Sequence, residues 1–115
     1  MSPSRPSNAS LAQRKFLAAM YADDYFPEHL VKLLEEILVQ LAVHIEAADG
    51  LELDGLYRLT HAATEQINDV QERFWDAGSE IETAARECIA EEFDAIARAY
   101  GFEADLEELI APRDW

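Results

Sequence analysis

Apolar residues recur along this chain every three or four positions rather than every two, and each run stops at glycine, proline or paired acids. That period belongs to amphipathic helices, not strands. In the clearest run, residues 79–101, Ile81, Ala85, Cys88, Ile89, Ile96, Ala99 and Tyr100 fall within about 130° on a helical wheel, the width of a core-facing stripe. Ser79 followed by Glu82 reads as a capping box, and Gly101 suits the left-handed position that ends a helix. A second helix is expected over 27–48, with Pro27 in its first turn and Gly50 beyond its end. It carries Leu30, Leu33, Leu34, Ile37, Leu41, His44 and Ile45 on one side, and Val39 and Val43 nearly opposite. Two apolar sides mean that it is either sandwiched centrally or turns its back to a partner.

Between these two, Asp54 is placed to cap a third helix reaching residue 77, with Leu56, Leu59, Ala63, Ile67, Val70 and Phe74 as its stripe. Ser10 is placed to cap a short helix, 11–22, with Phe16, Leu17 and Met20 at core spacing. The run Asp23-Asp24-Tyr25-Phe26-Pro27 stops it, because the residue before a proline is pushed out of the helical region. A last turn or two over 105–111 is stopped by Pro112. Connections this short make neighbouring helices antiparallel. The expected architecture is therefore all-α: an up-down-up three-helix bundle with short N- and C-terminal helices packed on it. Residues 1–10, rich in Ser, Pro and Asn, read as a flexible arm, and 11–115 as a single helical domain.

Charge narrows the partners. Against 24 acidic side chains stand 9 basic ones, a net −15, and residues 1–20 hold Arg5, Arg14 and Lys15 with no acid, so the remainder is more negative still. Duplex binding rests on basic groups displacing counterions, so direct nucleic-acid binding is disfavoured, and anionic membranes for the same reason. No stretch approaches the ~18 consecutive apolar residues of a membrane span. With the single Cys88, neither a disulfide within the chain nor a CxxC site can form, which suits a reducing, cytoplasmic setting. Acids stand four positions before Lys32, Arg58, Arg73, Arg86 and Arg98, the favourable order on a helix. The surplus carboxylates are either a solvated coat or a surface for a basic partner.

Candidate chemistry is sparse. Glu92 falls in the middle of the stripe that should be buried and needs a partner or a raised pKa; Thr64 or Glu65 of the preceding helix is level with it. His44 lies on a core face, where hydrogen-bonded packing is the ordinary role, and His29 reads as surface. A second strip of the third helix, Tyr57, His61, Thr64, Asn68 and Trp75, mixes aromatic and polar groups and is either covered by the terminal helices or exposed for recognition. Tyr57, His61, Asn68, Trp75 and Glu92 are thus the candidate binding residues. No Glu-x-x-His motif, Gly-rich phosphate loop or Ser/His/Asp signal is present, so no catalytic residue, metal or cofactor is assigned and no enzyme activity is expected.

Residues 20–27 (MYADDYFP), 59–64 (LTHAAT), 80–90 (EIETAARECIA) and 113–115 (RDW) resemble a family of small acidic bacterial proteins catalogued as a domain of unknown function. The resemblance spans about Phe16 to Trp115 and implies a compact bacterial, cytoplasmic helical domain without assigning any residue a role. The leading expectation is a non-enzymatic helical protein that binds another protein, such as a basic toxin or a nucleic-acid-binding partner, in the manner of an immunity protein. The alternatives are a small-molecule or metal site around Glu92 and His61, and a structural subunit associating with itself through Val39 and Val43.

Overall fold

The computed structural model describes residues 6–48 and 50–115; residues 1–5 of the expected arm lie outside them. In chain order the helices are α1 (Ala9–Ala12), α2 (Ala18–Tyr21), α3 (Glu28–Ala47), α4 (Leu53–Asp76), α5 (Thr83–Ala99) and α6 (Leu106–Leu109). The fold is all-α, with no strand among the described residues. Helix α4 has 24 residues, or ~36 Å at 1.5 Å per residue. It therefore runs most of the 42 Å long axis of the molecule.

The direction of each rod follows from what its ends touch. Helix α4 returns along α3 in the most extensive helix pairing of the fold. Ser79, between α4 and α5, donates its hydroxyl to the Tyr25 carbonyl at 3.0 Å, just before α3, and Tyr100 at the far end of α5 reaches Glu46 at the far end of α3. So α3 and α5 run parallel with α4 opposed, an up-down-up arrangement. Helix α5 also packs on α1, α2 and α6. Its own buried face is Ala85, Ile89, Glu92, Phe93, Ile96 and Ala97, whereas Cys88, Ala99 and Tyr100 are only half-buried.

Of the three helix stops written as glycine, Gly78 and Gly101 are closed by paired backbone bonds, whereas α3 ends at Ala47 with Ala48 already extended and Gly50 beyond it. At Gly78 (φ 76°) the Ser79 N–H reaches the Phe74 carbonyl at 2.8 Å and the Gly78 N–H reaches Trp75 at 3.0 Å. Gly101 (φ 81°) repeats the motif, with Phe102 on Ala97 and Gly101 on Arg98, both at 3.0 Å.

The starts differ from the sequence reading. Ser79 does not cap α5: its N–H belongs to the stop of α4 and its hydroxyl to Tyr25, residues 79–82 are non-helical with Ile81 buried, and Glu82 stands at the N-cap without a side-chain bond. Asp54 lies inside the first turn of α4, whose N-cap is Glu52. Asn8 rather than Ser10 caps α1, accepting from the Ser10 and Leu11 N–H groups.

The helix expected over 11–22 is two short pieces, parted at Leu17, whose backbone is left-handed at φ 58°. That conformation costs a branched residue about 1–2 kcal/mol, so something tertiary must hold it. Ser7 and Asn8, which the sequence places in the arm, are bonded to Glu46. On α3 the expected Leu30, Leu34, Leu41 and Ile45 are buried, and the buried face widens to include Val31, Leu38 and Ala42. Val39 and Val43 are buried within the chain, while Leu33 and Ile37 are half-buried and His44, expected on the core side, is exposed. Of the five expected ion pairs along helices, Asp94–Arg98 is closed at 2.8 Å, and the other four are not formed among the described residues.

Candidate functional site

Glu92 enters the core because its helix turns that position inward between Ile89 and Ile96, leaving it 3 % exposed. Its partners come from the broken N-terminal segment, not from Thr64 or Glu65. The Arg14 guanidinium meets Oε1 through Nε at 2.6 Å and Nη2 at 2.5 Å, while the Leu17 N–H donates to Oε2 at 2.5 Å. One carboxylate thus neutralises a cation and satisfies the amide exposed by the helix break. Buried charge of this kind is tolerated only when both oxygens are occupied. Sequence reasoning missed Arg14 and Leu17. The available signal was that a buried acid needs a cation, and the segment before residue 20 holds basic residues without acids.

The Tyr57, His61, Asn68 strip on α4 is covered. Residues 105–114 cross it, with the Asp105 N–H on the Tyr57 hydroxyl (3.1 Å), the His61 Nε2–H on the Glu108 carbonyl (2.6 Å), and Asn68 bridging the Pro112 carbonyl (3.0 Å) and the Asp114 N–H (2.8 Å). Thr64, fully buried, turns its hydroxyl to the Thr60 carbonyl at 2.8 Å. The strip is thereby a fastener for the chain terminus, and Trp115 is buried beyond it. Asp105 caps α6 through the Glu107 N–H, and Pro112 follows that short helix. His61 stacks on Tyr57 with ring centres 6.3 Å apart, and Glu92, held by Arg14 and Leu17, shares no hydrogen bond with either. Among the described residues no group of three His, Cys, Asp or Glu side chains is arranged to hold a metal ion.

A second fastener joins the other end. Glu46 accepts from the N–H groups of Ser7 (2.9 Å) and Asn8 (2.7 Å) and from the Tyr100 hydroxyl (2.6 Å), while Asn8 Nδ2 reaches the Ala99 carbonyl at 2.8 Å. Burial raises the Glu46 pKa, but the bonds from Tyr100, Ser7 and Asn8 outweigh it and hold the carboxyl below its ordinary value. Burial and the carboxylate beside it push the Tyr100 phenol upward.

Trp75 is the strip residue left uncovered, 54 % exposed, and Tyr25 is 48 % exposed. They belong to one end of the molecule: Phe74 packs against Phe26 with ring centres 6.4 Å apart, and Tyr25 accepts from Ser79. Asp23, Asp24, Glu28, Glu72, Asp76 and Glu80, all exposed, flank these two aromatics in sequence. No helix among the described residues is long and apolar enough to cross a membrane.

The chain belongs to the family of unknown function DUF5713, whose model matches residues 10–115. Comparison with curated proteins and with solved structures finds no match.

Proposed function

We propose that this member of the family is a non-enzymatic interaction protein that docks a basic protein at the end of the fold carrying Tyr25 and Trp75. The observation behind this reading is the exposure of two large aromatic side chains among exposed carboxylates. Aromatic anchors inside a polar rim are what protein–protein hot spots are made of, and an acidic rim selects a basic surface and speeds encounter with it. Such a surface is presented by nucleic-acid-binding proteins and by basic toxins, and the single cysteine fits a reducing cytoplasm. The other candidate residues favour this reading by default: His61 and Asn68 serve internal bonds, and Val39 and Val43 are buried within the chain and offer no face for self-association.

The test is capture of partners by the parent chain, Trp75→Ala and Asp76→Lys, followed by affinity measurement on the protein recovered. The reading expects one basic protein, held by the parent at low salt and weakened about tenfold or more in both variants, as befits a hot-spot residue. A partner bound equally by all three chains, or an acidic one, would overturn it.

A further inference from the structure

Tyr57, His61, Thr64, Asn68, Gln71 and Trp75 follow one another at three- and four-residue steps, so they form a single track along α4. Part of that track holds the chain's own non-helical residues 112–114. There one side-chain amide, Asn68, accepts from the Asp114 N–H and donates to the Pro112 carbonyl. An amide pairs with peptide backbone in this way whatever side chains the backbone carries. In the same segment the Arg113 guanidinium lies 5.8 Å from the centre of the Trp115 ring.

The next two positions of the track repeat those groups, an amide and then an indole. Gln71 is 6 % exposed, yet its side chain makes no hydrogen bond among the described residues. Leaving a buried amide unpaired is costly, and such groups in native proteins call for an explanation. Unlike the indole N–H of Trp115, the Gln71 amide is not sealed from solvent. Trp75, one turn on, is 54 % exposed, and its Cα–Cβ bond tilts back toward Gln71. Around it in sequence stand the exposed Glu72, Asp76 and Glu80, against Arg73 alone. We propose that Gln71 and Trp75 bind an extended, arginine-bearing segment of the partner, Gln71 pairing with its peptide backbone and Trp75 stacking on a guanidinium, an inference that rests on the docking reading above and sharpens it. The segment is extended because a helix has already paired its own N–H and C=O groups. Arginine is favoured over lysine because a planar guanidinium stacks on an indole while its edge donates to carboxylates.

The probes are an acetylated, amidated octapeptide of alternating arginine and glycine, its counterpart with sarcosine for glycine, which lacks those backbone N–H groups, and its counterpart with lysine for arginine. Each is titrated into the full chain by calorimetry and by NMR. The first should bind saturably at low salt, shifting the Gln71 side-chain amide and the Trp75 indole N–H. Gln71→Met should weaken it about fivefold, the loss of one hydrogen bond, and Trp75→Ala about tenfold. Gln71→Met should also leave Tm unchanged or raised, since an unpaired amide gives way to an apolar group of similar shape. The sarcosine and lysine peptides should each bind several-fold more weakly than the first. Equal binding of the first peptide by Gln71→Met, equal binding of the sarcosine or lysine peptide, or a Tm lowered by Gln71→Met would overturn the inference, and with Trp75→Ala still weakened the docking reading would stand. Absence of saturable binding, or shifts located elsewhere, would also overturn it, and the capture experiment then decides the docking reading separately.

Discussion

Replacing Glu92 by glutamine keeps the shape of the side chain and removes its charge, which isolates what that charge does for the N-terminal segment. The carboxylate accepts from Arg14 through Oε1 and from Leu17 through Oε2. An amide offers one acceptor, so if its oxygen stays with Leu17 its NH₂ group faces the guanidinium, donor against donor. Breaking a fully buried ion pair costs about 3–5 kcal/mol. Here the Arg14 side chain is 37 % exposed against 4 % for Glu92, so the arginine can rehydrate, and ~2–3 kcal/mol is the figure to expect. At roughly 4 °C per kcal/mol for a chain of this size, Tm should fall by about 8–12 °C. Urea unfolding of the parent, Glu92→Gln, Arg14→Gln and the double variant should give a coupling of at least ~1 kcal/mol. In hydrogen exchange the Leu17 amide should lose protection before those of α3. A Glu92→Gln chain within ~0.5 kcal/mol of the parent, or additive single effects, would refute the account of why residues 13–17 leave the helix.

Four further outcomes follow from the geometry. Gly78→Ala should destabilise by about 1 kcal/mol, read by urea unfolding, because the left-handed φ of 76° is strained for alanine although nothing lies within 4 Å of the added carbon. Trp115→Ala should cost ~3–5 kcal/mol, whereas Trp115→Phe should cost much less, since the buried indole N–H has no hydrogen-bond partner among the described residues to lose. Because Trp75 is exposed and Trp115 buried, Trp75→Phe should leave blue-shifted tryptophan emission that reports release of the C-terminal segment in Asn68→Ala. The Glu46–Tyr100 pair should shape both pH limits. The Glu46 pKa is lowered on folding, so its stabilisation is present above its ordinary value of 4.5 and lost as pH falls through the folded value. The Tyr100 pKa is raised, so its contribution is whole below pH 10.0 and lost as pH rises beyond it. Tyr100→Phe should flatten the alkaline arm of a Tm–pH profile and steepen no other part of it.

What the sequence determined by itself is what backbone periodicity and local stops can encode. Three long amphipathic stripes, two of them ended by Gly78 and Gly101, were enough to give an all-α fold with its middle rod reversed, because those signals act within a few residues of where they are read. The burial of Glu92 was legible for the same reason, as a position on a wheel. Everything that depended on a second segment was decided by tertiary structure. A capping serine is only a cap if no other partner claims it, and Ser79 is claimed by Tyr25. Helical periodicity over 11–22 continues unbroken in the sequence, yet a carboxylate 75 residues away from Leu17 takes its amide and bends the chain there. Likewise Tyr57, His61 and Asn68 looked alike on the wheel as fastener or recognition surface. The choice between them lay in residues 105–114, whose local turn was legible but whose path over α4 is set by bonds to those side chains and by the burial of Leu109 and Ile110.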